Sequence, residues 1–105
     1  MQTFDLNALL KQAASHDGRY LEFLRQPSMS LGIYTLPAGA TDGQSPHNQD
    51  EVYYVVSGKG KIRVEDETQP ALPGAILFVP AHAKHKFIDI EEELTLLVFF
   101  APAEE

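Results

Sequence analysis

After Arg19, short hydrophobic stretches alternate with clusters of turn-forming residues, and no apolar run lasts long before one interrupts it. The stretches are Tyr20–Leu24, Ser30–Leu36, Val52–Val56, Lys61–Glu65, Ala75–Val79, His85–Ile90 and Leu94–Phe100. Between them stand Gln26-Pro27-Ser28, Pro37-Ala38-Gly39, Ser57-Gly58-Lys59-Gly60, Gln69-Pro70, Pro73-Gly74, Pro80 and the acidic turn Glu91-Glu92-Glu93. Several short strands at this spacing predict an all-β barrel or sandwich. Gly58 and Gly60, flanking Lys59, are expected to form a hairpin turn from Val56 to Lys61. One helix precedes the strands: Asp5 caps it, Leu6, Leu9, Leu10 and Ala13 fall at helical spacing, and Gly18 stops it. The last residues, Ala103-Glu104-Glu105, are expected to fray.

Val52-Tyr53-Tyr54-Val55-Val56 is apolar on both faces. Such a strand is covered twice, by the barrel interior and by something outside, and a partner subunit provides the second cover. A homodimer is therefore expected. Phe78, Phe87, Leu96, Val98, Phe99 and Phe100 are assigned to the core.

The chain has 105 residues, 44% hydrophobic and 22% charged, which excludes a disordered segment, a collagen-like repeat and a coiled coil. That length supports one core, and residues 1–105 read as one domain without linker or repeat. Fifteen acidic against eight basic residues give a net charge of −7, which disfavours nucleic acid and anionic membrane surfaces as partners. With no Cys there is neither a thiolate nucleophile nor a thiolate metal site, which fits a cytoplasmic protein. Met1–Leu10 has no basic signal-peptide start, and the longest apolar stretch, Leu94–Ala101, is too short to span a bilayer.

Histidine occurs at four positions: His16, His47, His82 and His85. His16 reads as a solvated side chain at the polar end of the helix. His47, Glu51 and His85 each read singly as structural, but their spacing makes a set. An offset of four residues would put His47 and Glu51 on one face of a helix, which Pro46 and the β-rich run after Glu51 disfavour. On a straight strand that offset is about 13 Å, too far for both side chains to meet one ion. A turn or bulge through Asn48-Gln49-Asp50 shortens the gap, and His85 can reach the same point from a neighbouring strand. Two imidazoles and one carboxylate with open positions are the ligand set of non-haem iron oxygenases, and other divalent metals use it too.

These residues lie in two motifs that resemble those of small single-domain cupins. The first runs Gly, five residues, His-x-His, three residues, Glu, six residues, Gly, and Gly39, His47, Glu51 and Gly58 match it. The second runs Gly, five residues, Pro-x-Gly, two residues, His, three residues, Asn, and Gly74, Pro80 and His85 match it. The resemblance covers Leu31 to Pro102, with residues 1–18 as a helical extension. It implies a double-stranded β-helix, a jelly-roll barrel, with a short N-terminal helix.

The resemblance also implies a metal site of His47, Glu51 and His85 holding one divalent ion, Fe, Mn, Ni, Cu or Zn. Three positions depart from the motifs: Ser45 replaces the first His, His82 the glycine and Asp89 the asparagine. Ser45 or water fills the vacated ligand place, and Gln44 and Gln49 are near enough to supply a neutral oxygen. Ser45 shares strand parity with His47 and so is expected to face the ion. His82 reads first as a turn residue and second as a base beside the site. The implied function is a metal-dependent enzyme acting on a small organic molecule, first an oxygenase, otherwise an isomerase or decarboxylase. The alternative is a small-ligand binding or sensing module without turnover.

Overall fold

The computed structural model describes residues 1–105. Helix α1 spans Leu6–Ala14, and the Asp5 carboxylate accepts the Ala8 N–H at 2.9 Å, the capping bond that the sequence calls for. Leu9 is the residue it buries. No helix is long and apolar enough to cross a membrane.

Six antiparallel strands follow: β1 Tyr20–Gln26, β2 Met29–Leu36, β3 Asp50–Val64, β4 Glu67–Ala71, β5 Ile76–Val79 and β6 His85–Ala101. The sheet runs β1-β2-β6-β3-β4, with β5 also paired to β3. β3 and β6 are the frame, paired from Asp50↔Ala101 at one end to Val64↔His85 at the other. Both bend midway and carry the sheet round on itself, giving the jelly roll that the motifs imply.

That bend corrects two expectations. Ser57–Gly60 is not a hairpin turn and Glu91–Glu93 is not a turn; each lies inside one continuous strand. The register between β3 and β6 shifts at Val55/Ser57, Ser57/Lys59 and Lys59/Lys61. A bulge and a turn draw on the same residues, so glycine and polar clusters do not tell them apart. Gly58 shows why glycine is needed: its φ is +102°, and a Cβ there would lie 2.1 Å from the Glu93 carbonyl oxygen. β4 went unforeseen because it is exposed, lacks an apolar alternation and contains Pro70. It pairs with β3 alone, and a strand with one free edge tolerates proline.

The core gathers Leu36, Tyr53, Val55, Ile62, Phe87 and Leu94 with Leu96, Val98 and Phe100. Phe87, Leu96, Val98 and Phe100 are therefore where the sequence puts them, whereas Phe78 (62% exposed) and Phe99 (38% exposed) lie outside. Alternation decides this, because Phe100 points inward and its neighbour must point the other way. Phe78, Val52, Phe99 and Leu31 stand opposite one another across β5, β3, β6 and β2, forming an apolar row on the outer face. Tyr53 and Val55 are fully buried, while Val52, Tyr54 and Val56 are half-buried on that outer side.

The segment after β6 does not fray. Glu104 N–H donates to Ser30 Oγ at 2.9 Å, Arg25 Nη2 donates to the Glu104 carbonyl at 2.6 Å, and Ala103 N–H reaches the Pro27 carbonyl at 3.4 Å. Free backbone groups next to a sheet edge find partners there, which composition alone does not reveal.

Candidate metal site

Glu51 is the second residue of β3, held in register between Val79 of β5 and Phe100 of β6. A carboxylate there is fixed from both sides, and only 1% of the residue is exposed. His85 opens β6. His47 comes from the irregular stretch before β3, where the chain bends at Asn48–Gln49 and so brings residue 47 back over Glu51. The His82 backbone N–H donates to the His47 carbonyl at 2.7 Å and pins that loop to the turn before β6. The potential ligand atoms of His47, Glu51 and His85 all lie within 4.8 Å of one another.

His85 Nε2 stands 3.0 Å from Glu51 Oε1, an ion-pair distance without the alignment of a hydrogen bond. Both Glu51 carboxylate oxygens and His85 Nε2 are buried and otherwise without partners. Buried polar atoms are almost always satisfied, and an ionised carboxylate left bare costs far more than the roughly 2–7 kcal/mol of an unpaired amide or hydroxyl. A cation between these atoms would meet that need, so the residues present fit a metal. Burial disfavours a charge on His85, but the Glu51 carboxylate and the Ala83 carbonyl outweigh it, and its pKa lies above the ordinary 6.5. His85 Nδ1 lies 3.0 Å from the Ala83 carbonyl, which can only accept; Nδ1 carries the proton and Nε2 faces the site.

Gln44, and not Ser45, turns toward this cluster. Ser45 is exposed, and its segment is not a strand, so the parity argument does not apply to it. Gln44 Oε1 lies 3.4 Å from His47 Nε2 and accepts from the Tyr53 hydroxyl at 3.1 Å. Its amide nitrogen donates to Asp42 Oδ2 at 2.9 Å, which fixes the oxygen toward the cavity. Asp42 also accepts from the Tyr34 hydroxyl at 2.9 Å and the Phe87 N–H at 2.8 Å. Sequence reasoning missed Asp42, although its place between Gly39 and His47 marks it as a carboxylate inside the first motif.

Gln49 is buried, but its amide donates to Glu105 Oε1 at 3.3 Å. His82 is exposed with φ +69°, and Asp89 has φ +50°. The two departures from the second motif thus keep the left-handed backbone that glycine and asparagine adopt most readily. His16 is exposed.

Beside the site is a cavity of about 200 Å³. Tyr20, Tyr34, Tyr53, Val98 and Phe100 give it aromatic and apolar walls, and Gln44, His47, Glu51 and Glu104 give it polar ones. The Tyr20 hydroxyl is buried and has no partner. Its ring lies over Gly32, where a Cβ would come 2.3 Å from the phenol carbon. Burial, with the Glu104 and Glu22 carboxylates, pushes the Tyr20 hydroxyl far above the usual phenol range, so it is a donor. Glu104 was not foreseen either: its Oε2 stands 3.1 Å from His47 Nδ1. No sequence signal marks it, since two glutamates after a strand read as solvated.

Residues 32–101 match the family described as the Cupin domain. An uncharacterized protein of Streptomyces coelicolor is 50% identical over 104 residues, covering 99% of both chains. The crystal structure of TT1209 from Thermus thermophilus is 28% identical and covers 98% of this chain and 99% of its own, with a TM-score of 0.76. An RmlC-like cupin from Shewanella frigidimarina is 23% identical over 80% of this chain and 75% of its own, TM-score 0.73, a likeness of fold.

Proposed function

The chain belongs to the cupin domain family, and from that premise we propose that it binds one divalent transition-metal ion and, beside it, a small oxygen-bearing organic molecule. Residues 1–105 act as one unit, with a core of 31–102 behind the helical extension of 1–18. His47, Glu51 and His85 hold the ion. The observation that carries this reading is the buried trio of Glu51 Oε1, Glu51 Oε2 and His85 Nε2, left without hydrogen-bond partners.

Gln44 stands in for the absent first histidine of the motif. Metal bonds of about 2.0–2.2 Å put two ligands of one ion roughly 3–3.5 Å apart, and Gln44 Oε1 and His47 Nε2 are 3.4 Å apart. When bound, the ion supplies Lewis acidity and open positions, which serve oxygenation, isomerisation or decarboxylation. The protein's own contribution is positional. Tyr20 offers its unpartnered hydroxyl to an oxygen of the ligand, the aromatic walls exclude water, and Tyr53 and Asp42 hold Gln44 in place.

Elemental analysis of protein purified without chelator should find about one transition-metal ion per chain. His47→Ala and His85→Ala should each abolish tight binding, and Glu51→Gln should weaken it by removing the charge that offsets the cation. Apoprotein that takes up no metal on reconstitution overturns the reading.

The outer apolar row supports a homodimer. Phe78, Val52, Phe99 and Leu31 form a face on which a second copy would bury what solvent now meets.

A further inference from the structure

Both site histidines have two ring nitrogens, and metal binding needs the lone pair on the one that faces the ion. His85 has this settled by a main-chain carbonyl. His47 has two acceptors to choose between. On one side Gln44 Oε1 lies 3.4 Å from Nε2; on the other Glu104 Oε2 lies 3.1 Å from Nδ1. The carboxylate is nearer and charged; it stands at ion-pair distance without the alignment of a hydrogen bond, and its negative charge beside Nδ1 favours the ring proton there.

Glu104 is held in this place by more than its side chain. Its N–H is fixed to the fully buried Ser30, its carbonyl to Arg25 of β1, and Asn48 Nδ2 and Gln49 Nε2 grip the Glu105 carboxylate at 2.9 and 3.3 Å. Those last two residues immediately follow His47 in the chain, so the strap and the histidine loop are tied together.

We propose that Glu104 is the positioning residue of His47: its carboxylate takes the Nδ1–H, which leaves Nε2 free for the metal. Its part in metal binding rests on the reading of the site above; the state of the His47 ring does not. Partners of this kind, a carboxylate behind a ligating histidine, contribute about 10–100-fold to metal affinity.

The test compares wild type, Glu104→Ala and Glu104→Asp. Long-range ¹H–¹⁵N NMR of metal-free protein, at a pH above the histidine range, reads which nitrogen of His47 is protonated. Wild type should show the Nδ1–H form, and Glu104→Ala should shift His47 toward the Nε2–H form bonded to Gln44. Zinc competition against a chromophoric chelator should give a 10–100-fold loss for Glu104→Ala, with partial rescue by Glu104→Asp. Glu104 is not in the core, so the variants should melt within a few degrees of wild type. Arg25→Ala, which releases the Glu104 carbonyl without touching the carboxylate, should give a smaller loss of the same kind. His47 remaining wholly Nδ1–H in Glu104→Ala overturns the proposal, as does zinc affinity within twofold of wild type. Wild-type protein that binds no zinc overturns the metal reading instead, and the NMR result still decides the role of Glu104.

Discussion

His85 Nε2 and Glu51 Oε1 face each other at 3.0 Å, and neither atom has a hydrogen-bond partner. Without metal, the pair attracts only when His85 carries a proton. Its pKa is raised, so that stabilisation is fully present below about pH 6.5 and is lost as pH rises through the raised value. With metal the sign reverses, because the proton and the ion compete for Nε2. The Tm increment on adding zinc should therefore grow between about pH 6 and 8, while the Tm advantage of metal-free wild type over His85→Gln shrinks. A zinc increment that is flat across that interval contradicts this account.

Ser45→His should leave zinc affinity within about twofold, because position 45 points to solvent on an irregular segment. Gln44→Ala should lower it about tenfold or more, since an oxygen held by Tyr53 and Asp42 is lost. Chelator competition on both variants checks the pair. Tighter binding by Ser45→His would return the vacated place to position 45.

Gly58→Ala should destabilise the fold by about 3 kcal/mol, combining a left-handed backbone with a Cβ driven into the Glu93 carbonyl. His82→Gly should be neutral or stabilise by about 0.5–1 kcal/mol, as it relieves a positive φ at an exposed turn. Urea unfolding measures both. His82→Gly should also keep the zinc affinity of wild type, because the His82 main chain, not its ring, touches His47.

Light scattering should give twice the 11.6 kDa chain mass at micromolar concentration. Phe78→Glu, on the exposed row, should return it to the monomer mass with the metal site intact. A wild-type monomer rules out the second copy as the cover of this face.

Much of the frame was legible because it follows local rules. Asp5 caps a helix by the chemistry of its own side chain, and the spacing of Gly39, His47, Glu51 and Gly58 is set by one loop and one strand. The sequence failed where distant strands decide. Nothing near Gly58 announces that Glu93 will press against it, so a bend inside β3 looks like a hairpin turn. Phe99 and Phe100 are chemically identical, and only the registers of β2 and β3 assign one to solvent and one to the core. At the site, strand parity favoured Ser45, but the chain is irregular there and Gln44 turns inward instead. Glu104 lies more than fifty residues from His47 and meets it only because β6 ends beside that loop.

The ring of Tyr20 reaches the chamber from β1, the strand at the margin of the sheet, and the bare backbone of Gly32 makes room for it. The ring makes no hydrogen bond to His47, Glu51, His85 or Gln44, and it packs edge-on against Tyr34 and Phe100. A smaller side chain at position 20 would widen the chamber and remove one donor without breaking a hydrogen bond of His47, Glu51, His85 or Gln44. On the proposed function, descendants of this sequence could thus exchange one guest molecule for another through a marginal strand, keeping the inorganic chemistry constant while the organic partner changes.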